Sequence, residues 1–238
     1  MQAGDWYNGV QTMTNPANNA TPLRVLCIHG YRQNGEIFRQ KTGSLRKLLK
    51  LHVDFVYVTA PNEISSDDEA CEPKEAGEQG SFGQRGWWFT NENNTFESKK
   101  LTDMCVGLEK SVAVIDTAFK EQGPFDGILG FSQGASFVSL LCGMYKKEIF
   151  QHKIKFAIMI AGFKSRCSLH DMYYDSIINI PTLHIFGETD QVIPQEMSQD
   201  LLQYFEDPVT ITHPGGHYVP ATKSQKQSFL DFINSVRS

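Results

Sequence analysis

The chain has 238 residues, 40% of them hydrophobic and 21% charged, which describes a globular protein with enough material for one full core and excludes collagenous, coiled-coil and wholly disordered chains. The net charge of −5 is concentrated in residues 62–84, where seven acids face the single base Lys74, so the remainder is close to neutral and offers no basic face for nucleic acid. The longest clean apolar run, residues 156–163, is far short of the roughly 20 residues that span a bilayer, so no membrane span is expected.

Residues 1–22 contain no Lys or Arg and no apolar stretch, and read as a flexible tail without a secretory signal. From residue 23, short apolar runs alternate with longer amphipathic stretches. Strands are predicted at 23–28, 55–59, 125–130, 156–161, 182–186 and 209–212, and helices at 37–51, 98–120, 135–147, 195–205 and 224–236. This rhythm predicts an α/β fold with a mostly parallel, doubly wound sheet of about six or more strands covered by helices on both faces. One domain, 23–238, is expected. The rhythm breaks at 62–86, a long acidic loop ending in Arg85-Gly86-Trp87-Trp88-Phe89. Five cysteines with no C-x-x-C pair suggest neither a disulfide framework nor a zinc site, so we expect reduced thiols, no metal or cofactor, and an intracellular location, cytoplasmic and open to the nucleus.

Chemistry enters at Gly130-Phe131-Ser132-Gln133-Gly134, a G-x-S-x-G motif with a buried-strand pattern before it and an amphipathic helix after it. That context is a nucleophile elbow, a turn too tight for side chains two positions either side of the serine. The following helix directs its N-terminal dipole and free N–H groups at developing negative charge. A serine hydroxyl needs a base, and the base an orienting acid. In the α/β-hydrolase order, Ser then Asp or Glu then His, the acid comes from the loop after residue 186 and the base from the Gly-rich loop after residue 212. Asp190 is preferred to Glu188 for its shorter side chain deeper in the loop. His217 is preferred to His213, which Pro214 biases toward extended strand-end backbone. An oxyanion hole would take one backbone N–H from Gln133 and one from the loop after the first strand, with Tyr31 as candidate and Gly30 allowing the turn. Trp87 and Trp88 are candidates for lining an acyl groove, with packing of the long loop as the competing role.

These residues resemble the α/β-hydrolase superfamily, and within it the fungal and animal "family of serine hydrolases". The resemblance is carried by Arg24-Val25-Leu26-Cys27, Arg32-Gln33, Phe38-Arg39-Gln40-Lys41-Thr42-Gly43, Arg85-Gly86-Trp87-Trp88-Phe89, Gly123-Pro124-Phe125-Asp126-Gly127, the elbow and Gly215-Gly216-His217. It implies a carboxylic-ester hydrolase that acts on small-molecule esters with medium to long alkyl or acyl chains, using Ser132, Asp190 and His217. An acyl thioesterase with the same machinery, and a non-catalytic hydrolase-fold module that binds a small ligand, are the alternatives.

Overall fold

A computed structural model describes residues 21–64 and 83–237 of the chain. Its first strand, β1 (Leu23–Ile28), pairs in parallel with β2 (Val53–Val58), and the chain then passes through a two-stranded antiparallel ribbon of β3 (Asn62–Glu63) and β4 (Arg85–Gly86). The strands that follow are β5 (Gly127–Phe131), β6 (Phe156–Ile160), β7 (Thr182–Gly187) and β8 (Val209–His213). The main sheet has the order β2-β1-β5-β6-β7-β8 with every pair parallel. β5, β6 and β7 are buried at every residue, as the near-continuous apolar runs predicted, whereas the edge strand β8 is exposed at three of its five positions.

Among the described residues six α-helices cover this sheet: α1 (Gly35–Lys41), α2 (Gly43–Leu49), α3 (Leu108–Gln122), α4 (Gln133–Lys146), α5 (Gln195–Leu202) and α6 (Lys226–Ser235). Alternation along the strands divides the core between two faces. Leu26, Ile28, Ala157 and Met159 pack with Ile115 and Ala118 of α3 and Phe137, Leu140 and Leu141 of α4. Val25, Cys27, Ile158 and Ile160 pack with Phe38 of α1, Leu45 and Leu49 of α2, and Phe229, Phe232 and Ile233 of α6. This is the doubly wound arrangement. No described helix is long and apolar enough to cross a membrane.

Three local expectations change. The single helix predicted over 37–51 is two, bent at Thr42 (φ −90°, ψ 10°), whose hydroxyl bonds back to Phe38 O (2.8 Å) and to Tyr57 Oη (2.6 Å), back-bonding of the kind that bends helices. The helix predicted from residue 98 starts only at Leu108. Before it, Phe89 and Val106 exchange both backbone hydrogen bonds, and Gly107 adopts φ +86°, a left-handed turn that a helix cannot continue through. A 3-10 helix over Ser168–Tyr174 had no periodic signal. Most of the acidic loop, residues 65–82, and the expected tail up to residue 20 lie outside the described residues.

β1 is flanked by β2 on one side and β5 on the other, so successive crossovers leave it in opposite directions. Such a switch point opens a crevice at the carboxyl ends of the strands, where α/β proteins bind their ligands. The loop carrying Tyr31 follows β1, and Ser132 follows β5.

Candidate active site

Ser132 sits between the end of β5 and the start of α4 with φ 54° and ψ −120°, a backbone conformation far from the helical and extended regions on either side of it. Its amide donates to Ile160 O (2.9 Å) at the neighbouring strand end, and its carbonyl accepts from Ser136 N (3.0 Å), so the turn is held at both ends. Gly134 is required by crowding. A Cβ there would lie 2.3 Å from Ile28 O and 2.4 Å from His29 O, both main-chain atoms of the adjacent strand and its exit. The same holds for Gly130, where a Cβ would meet Gly134 O at 2.4 Å. These contacts let α4 approach β1 closely enough to leave Ser132 at the crevice, 9% exposed.

Asp190, in the loop after β7, is 4% exposed. Its Oδ1 accepts the amides of Val192 (2.9 Å) and Ile193 (2.8 Å), fixing the carboxylate, and its Oδ2 accepts from His217 Nδ1 (2.7 Å). Because a carboxylate only accepts, Nδ1 is the donor in this bond, and in the neutral imidazole that leaves Nε2 of His217 as an acceptor. The imidazole lies against the ring of Phe131, 4.7 Å between centroids, beside Ser132 in the chain. Of the competing candidates, Glu188 is exposed on the same loop and its amide donates to His213 O (2.8 Å). His213 is buried at the end of β8 with its ring 4.7 Å from Tyr218, and burial holds its pKa below the ordinary histidine value. It is His217, then, that the structure joins to an acid.

The loop after β1 lies against the elbow, since a Cβ on Gly30 would be 3.4 Å from Ser132 Cβ. Tyr31 is half-buried on this loop and Gln133 opens α4, so both carry backbone amides to the edge where Ser132 sits. The loop is braced from outside: Arg32 N donates to Arg85 O (3.0 Å) and Arg85 N to Gln33 O (3.0 Å).

Trp87 and Trp88 lie elsewhere than a groove-lining role requires. Both are buried, at 0% and 1% exposure. Trp87 stacks on Phe137 of α4 (5.1 Å) and donates from Nε1 to His29 O (2.7 Å), while Trp88 meets Phe96 edge-on (5.2 Å). Tyr31 and Phe96 are instead half-buried, with their rings 5.5 Å apart.

Three side chains that hold the site together were missed. The Gln133 carboxamide, fully buried, accepts from Trp87 N (2.9 Å) and donates to Trp88 O (2.7 Å), clamping the 85–89 segment onto the elbow. His29 accepts the Ala60 amide at Nε2 (3.0 Å) and donates from Nδ1 to Gly30 O (2.7 Å); burial lowers its pKa to about 4, so it is neutral. Asn62 Nδ2 reaches the carbonyls of Gly86, Trp87 and Gly107, each at 3.1 Å. A glutamine directly after the motif serine and a histidine at a strand end are visible in sequence, but the Ala60 amide is 31 residues from His29 and the Trp87 and Trp88 partners are 46 and 45 residues from Gln133.

A family model described as serine hydrolase (FSH1) matches residues 17–229. The chain belongs to that serine hydrolase family. Among its curated relatives are Esterase OVCA2 of Danio rerio, 46% identical over 90% of this chain and 98% of that protein, and Esterase CG5412 of Drosophila melanogaster, 43% identical over 89% and 73%. The human Esterase OVCA2 is 36% identical over 90% of this chain and 96% of its own length. Among solved structures, Zea mays acyl-protein thioesterase 2 superposes with a TM-score of 0.65 at 16% identity, over 92% of this chain and 95% of that one, and esterase PE8 with 0.59 at 18%, over 91% and 94%. These likenesses establish the α/β-hydrolase fold, and family membership makes the protein a hydrolase of the serine esterase kind.

Proposed function

We propose that this hydrolase cleaves small-molecule carboxylic esters with medium to long acyl chains through an acyl-enzyme formed on Ser132. The observation that carries the reading is the hydrogen bond from His217 Nδ1 to the buried carboxylate of Asp190, in a crevice whose neighbouring strand end presents Ser132 on a strained elbow. His217 Nε2 takes the hydroxyl proton of Ser132 as its oxygen attacks the ester carbonyl, and Asp190 stabilises the imidazolium so formed. The amides of Tyr31 and Gln133 receive the carbonyl oxygen as it becomes negative. The C–O bond to the alcohol then breaks, His217 returns the proton to the departing alkoxide, and water activated by the same imidazole releases the acid. The apolar surface of Tyr31 and Phe96 and the esterase names of the curated relatives support an acyl substrate. The four described cysteines are free thiols, which fits an intracellular site of action.

The test is fluorophosphonate labelling together with hydrolysis of p-nitrophenyl esters. Wild type labels and turns over; Ser132→Ala loses both while its melting temperature stays within a few degrees, and Asp190→Asn and His217→Ala lose about three or more orders of magnitude in kcat. Retention of labelling in Ser132→Ala, or loss of activity in His213→Ala with none in His217→Ala, refutes the assignment.

A further inference from the structure

The chain between Thr90 and Gly107 crosses the carboxyl edge of the main sheet, and Phe96 lies at the centre of that crossing. Its ring centroid is 5.5 Å from Tyr31, which follows β1, and 6.2 Å from Phe163, which follows β6. β5 runs between β1 and β6, and Ser132 is the residue directly after β5. A ring set between side chains that follow β1 and β6 belongs to the same carboxyl edge of the sheet from which the elbow after β5 emerges.

The backbone that carries this ring is fixed on both sides of it. Thr95 N donates to Asn91 Oδ1 (3.0 Å), Glu97 N to Thr90 Oγ1 (3.0 Å), and Thr90 N to Thr95 O (2.8 Å), closing a tight loop around Phe96. Further on, Lys99 Nζ donates to Gln191 O (2.9 Å), the carbonyl next to Asp190, and Thr102 pairs with the chain at Arg166 and Ser168. Beneath Phe96 lie the buried rings of Trp88, edge-on at 5.2 Å, and Phe163. Phe96 is half-buried and is the aromatic layer between those rings and the outside.

We propose that Phe96 determines which acyl groups the enzyme accepts, its ring forming the wall that limits the width of the acyl space above Ser132. The inference rests on the esterase reading of Ser132. Substrate acyl groups that are narrow and unbranched fit beside the ring. Branched and aromatic ones need the volume it occupies, and removing it uncovers the apolar faces of Trp88 and Phe163 without freeing the loop.

The experiment compares wild type, Phe96→Ala and Phe96→Trp on p-nitrophenyl acetate, pivalate and benzoate, with fluorophosphonate labelling of each and Ser132→Ala as the control. The ratio of kcat/KM for benzoate or pivalate over acetate rises about tenfold or more in Phe96→Ala and falls in Phe96→Trp. Melting temperatures accompany the ratios, and Phe96→Leu, which keeps the apolar filling, replaces Phe96→Ala if that variant does not fold. Ratios within about twofold of wild type in both directions, with labelling intact, overturn the role of Phe96 and leave the esterase reading standing. Absence of labelling in wild type overturns both.

Discussion

Replacing Gln133 by Leu tests how firmly the elbow is tied to the rest of the crevice. The two side chains are close in size, so the change leaves packing nearly intact and removes only the carboxamide. With it go the acceptor of the Trp87 amide (2.9 Å) and the donor to Trp88 O (2.7 Å). Gln133, Trp87 and Trp88 are all at most 1% exposed, so water cannot take over either partner. Each orphaned group costs about 1–3 kcal/mol, about 2–6 kcal/mol together, against a total stability of about 5–15 kcal/mol. In urea, with a slope of about 3 kcal/mol per molar for a domain of this size, a loss of about 3 kcal/mol lowers the unfolding midpoint by about 1 M at unchanged slope. Gln133→Glu sharpens the test. Its carboxylate still accepts from Trp87 N but sets a negative charge against Trp88 O, so at pH 7 it is less stable than the Leu variant. Acid, by protonating the Glu, narrows its deficit relative to wild type at the same pH. A midpoint within about 0.2 M of wild type for Gln133→Leu would refute the clamp.

Two further outcomes follow, one from Gly134 and one from His29 together with His170 and His184, the last two each 2% exposed. Gly134→Ala places a Cβ 2.3–2.4 Å from main-chain oxygens of Ile28 and His29, which cannot turn aside as a side chain can, and is expected to cost about 3 kcal/mol or more, a fall of about 6–12 °C in Tm by thermal denaturation; an unchanged Tm would mean that α4 shifts freely. Burial lowers the pKa of His29 to about 4, of His170 to about 4 and of His184 to about 3, so the fold holds each imidazole neutral, its contribution complete above the unfolded value near 6.5 and lost as pH falls toward the folded one. At pH 5 each costs about 2 kcal/mol, so the urea midpoint should drop steeply from pH 7 to 5, and a flat profile there would contradict the burial of these rings.

The sheet was readable because its strands are buried on both faces and leave unbroken apolar runs, such as Phe156 to Ile160, that few other elements produce. The elbow was readable because its constraints are local: two glycines and a serine within five residues, between a strand and a helix. Asp190 and His217 were placed by topology, each in a loop at the same sheet edge, and the choice between His217 and His213 turned on Pro214. What sequence left open depends on partners distant in the chain. Residues 98–107 have helical spacing, but Thr102 and Val106 are engaged by Cys167 and Phe89 instead, and the winning interactions are between segments rather than within one. Trp87 and Trp88 have the composition of a ligand groove and the burial of a core, a distinction that residue type alone does not carry.

That burial explains why aromatic residues stand where they do. In the proposed reaction the amides of Tyr31 and Gln133 must already point at the oxyanion when charge develops, because reorienting dipoles during the reaction forfeits most of their benefit. The two amides lie on separate loops, one after β1 and one after β5, and adjacent parallel strands leave their exit loops free to move independently. Trp87 joins them. Its indole donates to His29 O (2.7 Å), two residues before Tyr31, and its amide to the Gln133 side chain (2.9 Å), so one buried residue is bonded to both arms. His29 extends the chain to Ala60 at the exit of β2, and Asn62 secures Trp87 O and Gly86 O from the ribbon. Each of these bonds is shielded from water, where an unmade hydrogen bond is most costly, so the network resists partial opening. A tryptophan lining a groove must be free to repack around different acyl chains; one that spans the oxyanion loops must stay fixed. Trp87, fully buried and bonded to both loops, meets the second demand of the proposed reaction.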